Sequence, residues 1–174
     1  MTNPVFEAVR TLLAVREYQD RAIAEDTVRR IVEAGRLTAS SKNGQPWHFV
    51  VVRQRQNLRE IGALARTGPY IATAGMAIAV AIEKTSAFGV SDASRAIQSM
   101  MLTAWAEGVG SNWVGFVHFG GLEAIAKKLG LPDDYDLLAV IPFGYPKRAI
   151  GKGQKNRKPL RDVASSEHFG TPFE

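Results

Sequence analysis

The sequence contains no cysteine, and this absence excludes a whole set of chemistries. Disulfide bonds, thiolate metal sites, iron–sulfur clusters and thiol nucleophiles all require cysteine. Two-electron redox chemistry in this chain would therefore have to come from an added cofactor. The histidines His48, His118 and His168 are widely separated and lack carboxylates at metal-ligand spacing, so no metal site is predicted.

Long apolar stretches are missing as well. The longest candidate, from Ile71 to Ile82, is interrupted by Thr73 and Gly75 and is shorter than the roughly 18 residues that a membrane span requires. The first residues do not combine a basic segment with an apolar one, as a secretory signal would. These features predict a soluble, cytoplasmic protein without a membrane partner.

Acidic residues are absent from one basic segment near the end of the chain. Seven basic residues lie from Lys147 to Arg161, and the whole chain has a formal net charge of +5. The segment has no aromatic residue on which a nucleobase could stack, and no nucleic-acid-binding motif accompanies it. Nucleic acid is therefore not predicted as a partner. A solvated basic tail and a site for the phosphate of a small cofactor are the two interpretations that remain.

The apolar periodicity predicts alternating helices and strands in a single domain covering residues 1–174. Helical spacing is found at 5–13, 25–37, 57–65, 91–107 and 122–129. Short, continuous apolar runs typical of buried strands are found at 49–52, 76–82, 111–116 and 137–143. Strands that alternate with helices would by themselves favour a parallel, doubly wound sheet.

A polar loop precedes the first strand, with the sequence Ser-Ser-Lys-Asn-Gly-Gln-Pro-Trp from Ser40 to Trp47. Ser40, Ser41 and Asn43 offer hydroxyl and amide groups just after a helix, where they can face a ligand or satisfy loop backbone groups. Pro46 keeps the residue before it extended and fixes the exit into the strand.

This loop carries a resemblance that extends over nearly the whole chain. The sequence resembles the FMN-dependent nitroreductase family, whose members carry a Ser-Ser-x-Asn-x-Gln-Pro-Trp loop around the flavin. Three further matches follow in the expected order, namely Asn-Trp-Val-Gly-Phe at 112–116, Phe-Gly-Tyr-Pro at 143–146 and Lys-Asn-Arg-Lys-Pro at 155–159. The resemblance implies an α+β fold with a mainly antiparallel sheet, flanked by helices and completed by exchange of terminal segments in a homodimer.

The resemblance also implies which residues bind FMN. The polar loop would contact the flavin, the backbone of a strand end would face N5 of the ring, and cations near both ends of the chain would bind the phosphate. The residues at these positions are Ser40, Ser41 and Asn43 in the loop, Val114 and Gly115 at the strand end, and the cations Arg16, Lys155 and Arg157. Hydride transfer to a flavin requires no side-chain acid or base, so we name no catalytic residue.

One segment departs from the family pattern. Members commonly carry Arg-Arg-Ser or a similar polar triplet shortly before the position of Arg16, whereas this chain has Leu12, Leu13 and Ala14. Arg10 lies one helical turn before Ala14 and is either a replacement cation or a solvated surface residue. If two charge-assisted hydrogen bonds of roughly 1.5–3 kcal/mol each are missing, FMN affinity falls by orders of magnitude.

The function implied by the resemblance is a flavin-dependent oxidoreductase. The homodimer, with its flavin at the subunit interface, would take hydride from NAD(P)H and pass electrons through FMN to a nitroaromatic, a quinone or a similar small acceptor. The short segment between Ile82 and Ser91 implies an open site, because larger relatives insert helices there. Two alternatives stay open, a flavin-binding or storage protein with little turnover and a relative that binds a deazaflavin or modifies a flavin.

Overall fold

The computed structural model describes residues 3–115, 121–150 and 155–173. The helices are α1 (Pro4–Thr11), α2 (Glu25–Arg36), α3 (Arg55–Leu64), α4 (Gly89–Ala106) and α5 (Leu122–Lys128). The strands are β1 (Trp47–Val52), β2 (Met76–Glu83), β3 (Gly110–Ser111), β4 (Val114–Gly115) and β5 (Tyr135–Gly144). Short 3-10 turns lie at Ser41–Asn43, Pro69–Thr73 and Leu160–Asp162. Phe116 and His118, which the sequence analysis named, lie outside the described residues.

The five strands form one sheet in which β2 and β5 are central. β1 pairs with one edge of β2, β5 pairs with the other, and both β3 and β4 pair with the far edge of β5. All four of these pairings are antiparallel. The antiparallel α+β fold expected from the family resemblance is therefore confirmed, and the parallel arrangement that periodicity alone favoured is wrong.

Strand β2 shows why the periodicity misled. Its even-numbered residues, such as Ile78 and Val80, pack into one apolar cluster with α2 and α4, whereas Ala77 and Ala79 pack into a second cluster with α3 and α5. Helices thus cover both faces of the sheet. A strand that is buried on both faces has a continuous apolar sequence whether its neighbours are parallel or antiparallel to it.

Helix α4 is the longest helix and runs antiparallel to α2. Thr38, just after α2, donates a hydrogen bond to Ser99 in the middle of α4 at 2.8 Å. Thr27, at the start of α2, donates to Glu107 at the end of α4 at 2.7 Å. Within the described ranges, no helix is long and apolar enough to cross a membrane.

The strand predicted at 111–116 is interrupted in the structure. β3 and β4 are two short pairings with β5, separated by Asn112 and Trp113. The side-chain amide of the buried Asn112 donates to the hydroxyl of Tyr70 and, at 3.2 Å, to the carbonyl oxygen of Trp113. The pairing at the edge of the sheet is therefore interrupted at the point where the family resemblance places the flavin ring.

Gly62 marks the closest approach between α3 and the Pro69–Thr73 turn. A Cβ at this position would lie 2.8 Å from the nitrogen of Ala72 and 3.0 Å from the carbonyl oxygen of Pro69. Gly62→Ala should lower the free energy of unfolding by about 1–3 kcal/mol, because the overpacking outweighs the gain in helix propensity of about 1 kcal/mol. Urea denaturation measures this change.

Gly89→Ala is the matched control, since Gly89 is also a buried helical glycine. Its added Cβ would meet Ile82 at an ordinary contact distance of 3.4 Å. We expect unchanged or slightly higher stability for this variant. Equal destabilisation of both variants would contradict the packing explanation.

Candidate functional site

The polar loop from Ser40 to Gln45 has an unusual backbone. Lys42, Asn43 and Gln45 adopt positive φ angles of 53°, 56° and 50°, although none is a glycine. A non-glycine residue in this left-handed region costs of order 1–3 kcal/mol, and such strain is concentrated at functional sites. The loop leaves the Asn43 side chain exposed and Ser40 and Ser41 half-buried.

Hydrogen bonds within the loop and to α4 hold this backbone. The Gln45 amide donates to Ser40 Oγ at 3.0 Å, and the Gln45 side-chain amide donates to the Asn43 carbonyl oxygen at 3.2 Å. Ser41 donates twice to Asp92 of α4, from its backbone nitrogen at 3.0 Å and from its hydroxyl at 3.2 Å. The loop is therefore anchored to the first turn of α4.

Asp92 is a buried carboxylate whose side chain is only 1% exposed. Burial by itself would raise the pKa of Asp92, but the hydrogen bonds from the Ser41 backbone, from Arg95 and from the Ser41 hydroxyl together hold that pKa below its usual range. The side chain is thus ionised at neutral pH and acts only as a hydrogen-bond acceptor.

Arg16 lies near the other end of α4. The Val15 amide donates to the Ser111 carbonyl oxygen at 2.9 Å, which ties the segment after α1 to the sheet edge that follows α4. Arg16 is exposed and lines a groove of about 230 Å³. Lys147 and Arg148 line the same groove together with Glu17, which pairs with Arg148 at 3.6 Å, so three cations and one carboxylate border it.

Lys155 and Arg157 lie close to each other. The Lys155 ammonium donates to the Val9 carbonyl oxygen of α1 at 2.5 Å. Burial lowers the pKa of Lys155, and the charge of Arg157 lowers it further. Arg157 is exposed and donates to the Asn156 carbonyl oxygen at 2.9 Å. The structure brings these two residues together, but neither lines the groove of Arg16.

The apolar segment that replaces the family triplet borders this groove. Leu13 and Ala14 contribute to the wall beside Arg16, and Leu12 caps the end of α1. Arg10 forms an exposed ion pair with Glu7, with 2.6 Å between its Nη2 and a carboxylate oxygen. Because its guanidinium is paired with Glu7 on the surface, the structure supports the interpretation of Arg10 as a surface residue.

Gly115 lies beneath the indole of Trp113. A Cβ on Gly115 would lie 2.6 Å from the Trp113 ring nitrogen, so glycine is needed for the indole to pack there. Val114 is buried against the second apolar cluster, and Trp113 remains 38% exposed. The strand end therefore presents backbone and an aromatic ring to its surroundings.

Two groups of predicted site residues, the loop residues and the cations, lie at opposite ends of α4, whereas Val114 and Gly115 lie on the sheet. The loop is anchored at Asp92, whereas α1 is joined to Trp105 by a hydrogen bond of 2.9 Å from the indole to Thr11. The helix from Asp92 to Ala106 spans about 21 Å at 1.5 Å per residue. The polar loop and the cations near α1 thus lie at the two ends of α4.

Sequence reasoning missed three residues that the structure adds to these groups. Lys147 and Arg148 belong to the basic segment, but their place in the groove depends on pairing between 17–19 and 145–147, including a 3.0 Å hydrogen bond from the Lys147 amide to Glu17. The signal available in the sequence was the Phe-Gly-Tyr-Pro turn directly before them. Asp92 lies at the start of the helix predicted from residue 91, and the sequence analysis did not identify it as part of a site.

The α+β fold thus carries an anchored polar loop and a groove bordered by cations, two features with the chemistry to bind an anionic small molecule. The family model described as "Nitroreductase family" matches residues 13–79 and 63–145. A curated relative from Methanothermobacter thermautotrophicus, provisionally named an NADH dehydrogenase/NAD(P)H nitroreductase, is 35% identical over 152 residues, which cover 84% of this chain and 80% of the relative. The chain belongs to the Nitroreductase family.

Two further comparisons extend this result. The crystal structure of a protein from Bacteroides thetaiotaomicron, with the same provisional name, superposes with a TM-score of 0.89 at 26% identity and covers 97% of this chain and 100% of that one. A Bacillus subtilis protein named FMN reductase (NADPH) is 24% identical over 183 residues, covering 92% of this chain and 72% of the relative. The fold is thus shared along nearly the entire chain.

Proposed function

We propose that the protein is an FMN-dependent oxidoreductase that accepts hydride from NAD(P)H and delivers electrons to a nitroaromatic, a quinone or a similar small acceptor. The observation that carries the proposal is the strained, anchored loop at 40–45 in a chain of the Nitroreductase family. Curated relatives named as NAD(P)H nitroreductase and FMN reductase support both the cofactor and the reductant. The whole chain, residues 1–174, acts as one domain.

The described residues fit FMN in both charge and hydrogen-bonding capacity. Ser40, Ser41 and Asn43 supply neutral polar groups for the uncharged parts of the flavin, and Arg16, Lys155 and Arg157 supply positive charge for its phosphate. An arginine can bind a phosphate through paired, charge-assisted hydrogen bonds. Bound FMN supplies the two-electron carrier that the side chains of this chain lack.

The backbone at Val114 and Gly115 would lie against the flavin ring. The indole of Trp113 fills the side of Gly115 on which a Cβ would lie, so the ring would meet this strand end beside the part of the indole that stays exposed. The strand end can thus offer backbone hydrogen-bonding groups at close range. Its role is to orient the ring and to limit water on that side.

A complete site requires two copies of the chain. The loop and the cations lie at opposite ends of α4, so a two-fold arrangement of protomers would place the loop of one beside the cations of the other. The exposed apolar residues of α1, Val5 and Phe6, provide a surface that a partner would cover. We therefore propose a homodimer with the flavin at the subunit interface.

The C-terminal segment supports the same arrangement. Leu160, Val163, Phe169 and Phe173 are all exposed, and Phe169 has no cover within its own protomer. Within residues 155–173, a single hydrogen bond joins this segment to the rest of the described chain, and it runs from Lys155 to the Val9 carbonyl oxygen. Exchange of this segment onto a partner would bury the apolar side chains.

The purified protein should bind FMN, and anaerobic addition of NADH or NADPH should bleach the visible absorption of the flavin. Arg16→Ala should weaken FMN binding by roughly tenfold or more, because it removes a charge-assisted hydrogen bond of about 1.5–3 kcal/mol. Flavin fluorescence titration of the apoprotein measures the affinity.

Arg29→Ala is the control for a simple loss of charge. Arg29 is an exposed cation of α2 that pairs with Glu25 at 3.5 Å. Its replacement should leave FMN affinity unchanged. Absence of FMN binding by the unmodified protein, or unchanged affinity in both Arg16→Ala and Arg157→Ala, would contradict the assignment.

A second candidate function is flavin binding or storage with little turnover, or binding of a deazaflavin. The observation in its favour is the apolar wall formed by Leu13 and Ala14 beside Arg16, where the family commonly has polar residues. Arg10 does not offset the change within its own protomer, because its guanidinium is paired with Glu7. FMN affinity should therefore be lower than a polar triplet would give.

Restoring the polar residues tests this candidate. Leu12→Arg combined with Ala14→Ser adds a cation and a hydroxyl, each contributing on the order of 1–3 kcal/mol to phosphate binding if its geometry is suitable. FMN affinity should rise in the double variant, whereas Arg10→Ala should leave the affinity of the parent unchanged. No gain in a folded double variant, together with a large loss in Arg10→Ala, would show that Arg10 already fills the role.

A further inference from the structure

Asp92 connects the strained loop to the rigid centre of the fold. One oxygen of its carboxylate, Oδ2, accepts from the Ser41 backbone amide, and the other, Oδ1, accepts from both the Ser41 hydroxyl and the Arg95 guanidinium. The side chain is buried, and it belongs to a helix that packs along both α2 and the sheet. Three left-handed residues follow Ser41 within four positions, so this anchor restrains a backbone that would otherwise relax.

The same contacts determine whether the hydroxyl of each serine can donate or accept a hydrogen bond toward a ligand. A carboxylate can only accept a hydrogen bond, so the Ser41 hydroxyl donates to Asp92. Toward a ligand, this hydroxyl can then act only as an acceptor. Ser40 has the opposite arrangement, because its oxygen accepts from the Gln45 amide and its own proton stays available to donate. Adjacent serines therefore present an acceptor and a donor.

We propose that Asp92 is a positioning residue that fixes the loop and makes Ser41 an obligate hydrogen-bond acceptor toward the flavin, while Ser40 acts as a donor. This inference rests on the proposed FMN site. Asp92 does not touch the cofactor in this arrangement and acts through Ser41. The matching groups on the flavin are a donor facing Ser41, either the ring N–H or a ribityl hydroxyl, and an acceptor facing Ser40.

The test is a double-mutant cycle read out as the FMN dissociation constant. Asp92→Ala and Ser41→Ala should each weaken FMN binding by roughly tenfold to a hundredfold, the range expected for a hydrogen bond involving a charged group. The combined variant should be no weaker than Asp92→Ala alone, because the loss of the Asp92 anchor already removes the contribution of Ser41. Ser40→Ala should instead weaken binding further in the Asp92→Ala background.

Asp92→Asn separates two effects of Asp92, namely holding the loop in position and making the Ser41 hydroxyl an acceptor toward the ligand. The amide oxygen of asparagine can still accept from the Ser41 backbone, whereas its NH₂ group would take the place of Oδ1 and donate to the Ser41 hydroxyl, so that the hydroxyl becomes an acceptor there. Arg95 would lose its acceptor at this position, but its side chain is 52% exposed and can turn to solvent. We expect hydrogen exchange at the Ser41 amide, measured by NMR without ligand, to stay slow in Asp92→Asn and to become fast in Asp92→Ala. FMN binding should be weakened in both.

Glu107→Gln is the matched control on the same helix. Glu107 accepts from Thr27 at 2.7 Å and from Arg30 at 2.6 Å, as Asp92 accepts from Ser41 and Arg95, but it lies at the other end of α4. This variant should lose stability without changing either FMN affinity or exchange at Ser41. Reduced affinity in Glu107→Gln would mean that losing any hydrogen-bonded carboxylate at an end of α4 disturbs the site.

The outcomes separate this inference from the proposed function. If the unmodified protein binds no FMN, the proposed function is contradicted, and exchange at the Ser41 amide still decides whether Asp92 holds the loop. If the unmodified protein binds FMN but Asp92→Ala binds equally well, or the losses from Asp92→Ala and Ser41→Ala add, the positioning role is overturned while the proposed function stands.

Discussion

Helix α4 packs against α2 along its length and against the central sheet, and its small side chains allow both approaches. Ala93, Ile97, Met100 and Ala104 are completely buried in the cluster shared with β2 and β5. Because this helix is held on several sides, whatever is attached to its ends is held at a fixed separation. The loop at Asp92 and the segment joined to Trp105 are the two attachments that matter for the proposed site. In the proposed homodimer, a second protomer would bring the loop of one copy beside the cations of the other.

Apolar spacing in the sequence was sufficient to locate most helices and strands, but it did not show whether paired strands run parallel or antiparallel. Apolar spacing predicted β2 at 76–82 and the structure has it at Met76–Glu83. Strand direction could not follow from spacing, because a strand covered on both faces shows no alternation of polar and apolar residues. The antiparallel sheet came only from the family resemblance. The prediction of an unbroken strand at 111–116 was wrong, since Asn112 turns inward to bond Tyr70 and interrupts the pairing.

The sequence predicted which residues belong to the candidate site, but it did not predict the hydrogen bonds and contacts that hold them in place. Ser40, Ser41 and Asn43 were identified from their motif, whereas the partner that anchors Ser41 lies 51 residues away in the chain. Lys147 and Arg148 were seen only as part of a basic segment. Their contact with the groove of Arg16 requires the chain to return beside residues 17–19, a long-range pairing that no local pattern specifies.

The apolar segment at 12–14 has a clear electrostatic consequence. Arg16, Lys147 and Arg148 supply positive charge at the groove, but Leu13 and Ala14 add no hydrogen-bond donors from their side chains. A bound phosphate would thus rely on charge from several sides rather than on one dense set of donors. In the proposed homodimer, the affinity for a phosphate-bearing flavin would then depend on how completely the partner protomer encloses the phosphate.

A mixed dimer tests the intersubunit site most directly. One protomer would carry Arg16→Ala and its partner Asn43→Ala, with different affinity tags so that only mixed dimers are purified. If each flavin contacts the loop of one protomer and the cations of the other, one site in the mixed dimer carries both changes and the other carries neither. We expect FMN titration to recover half of the sites at the affinity of the unmodified protein, although both parent homodimers bind weakly. A mixed dimer that binds FMN no better than either parent would contradict a site shared between subunits.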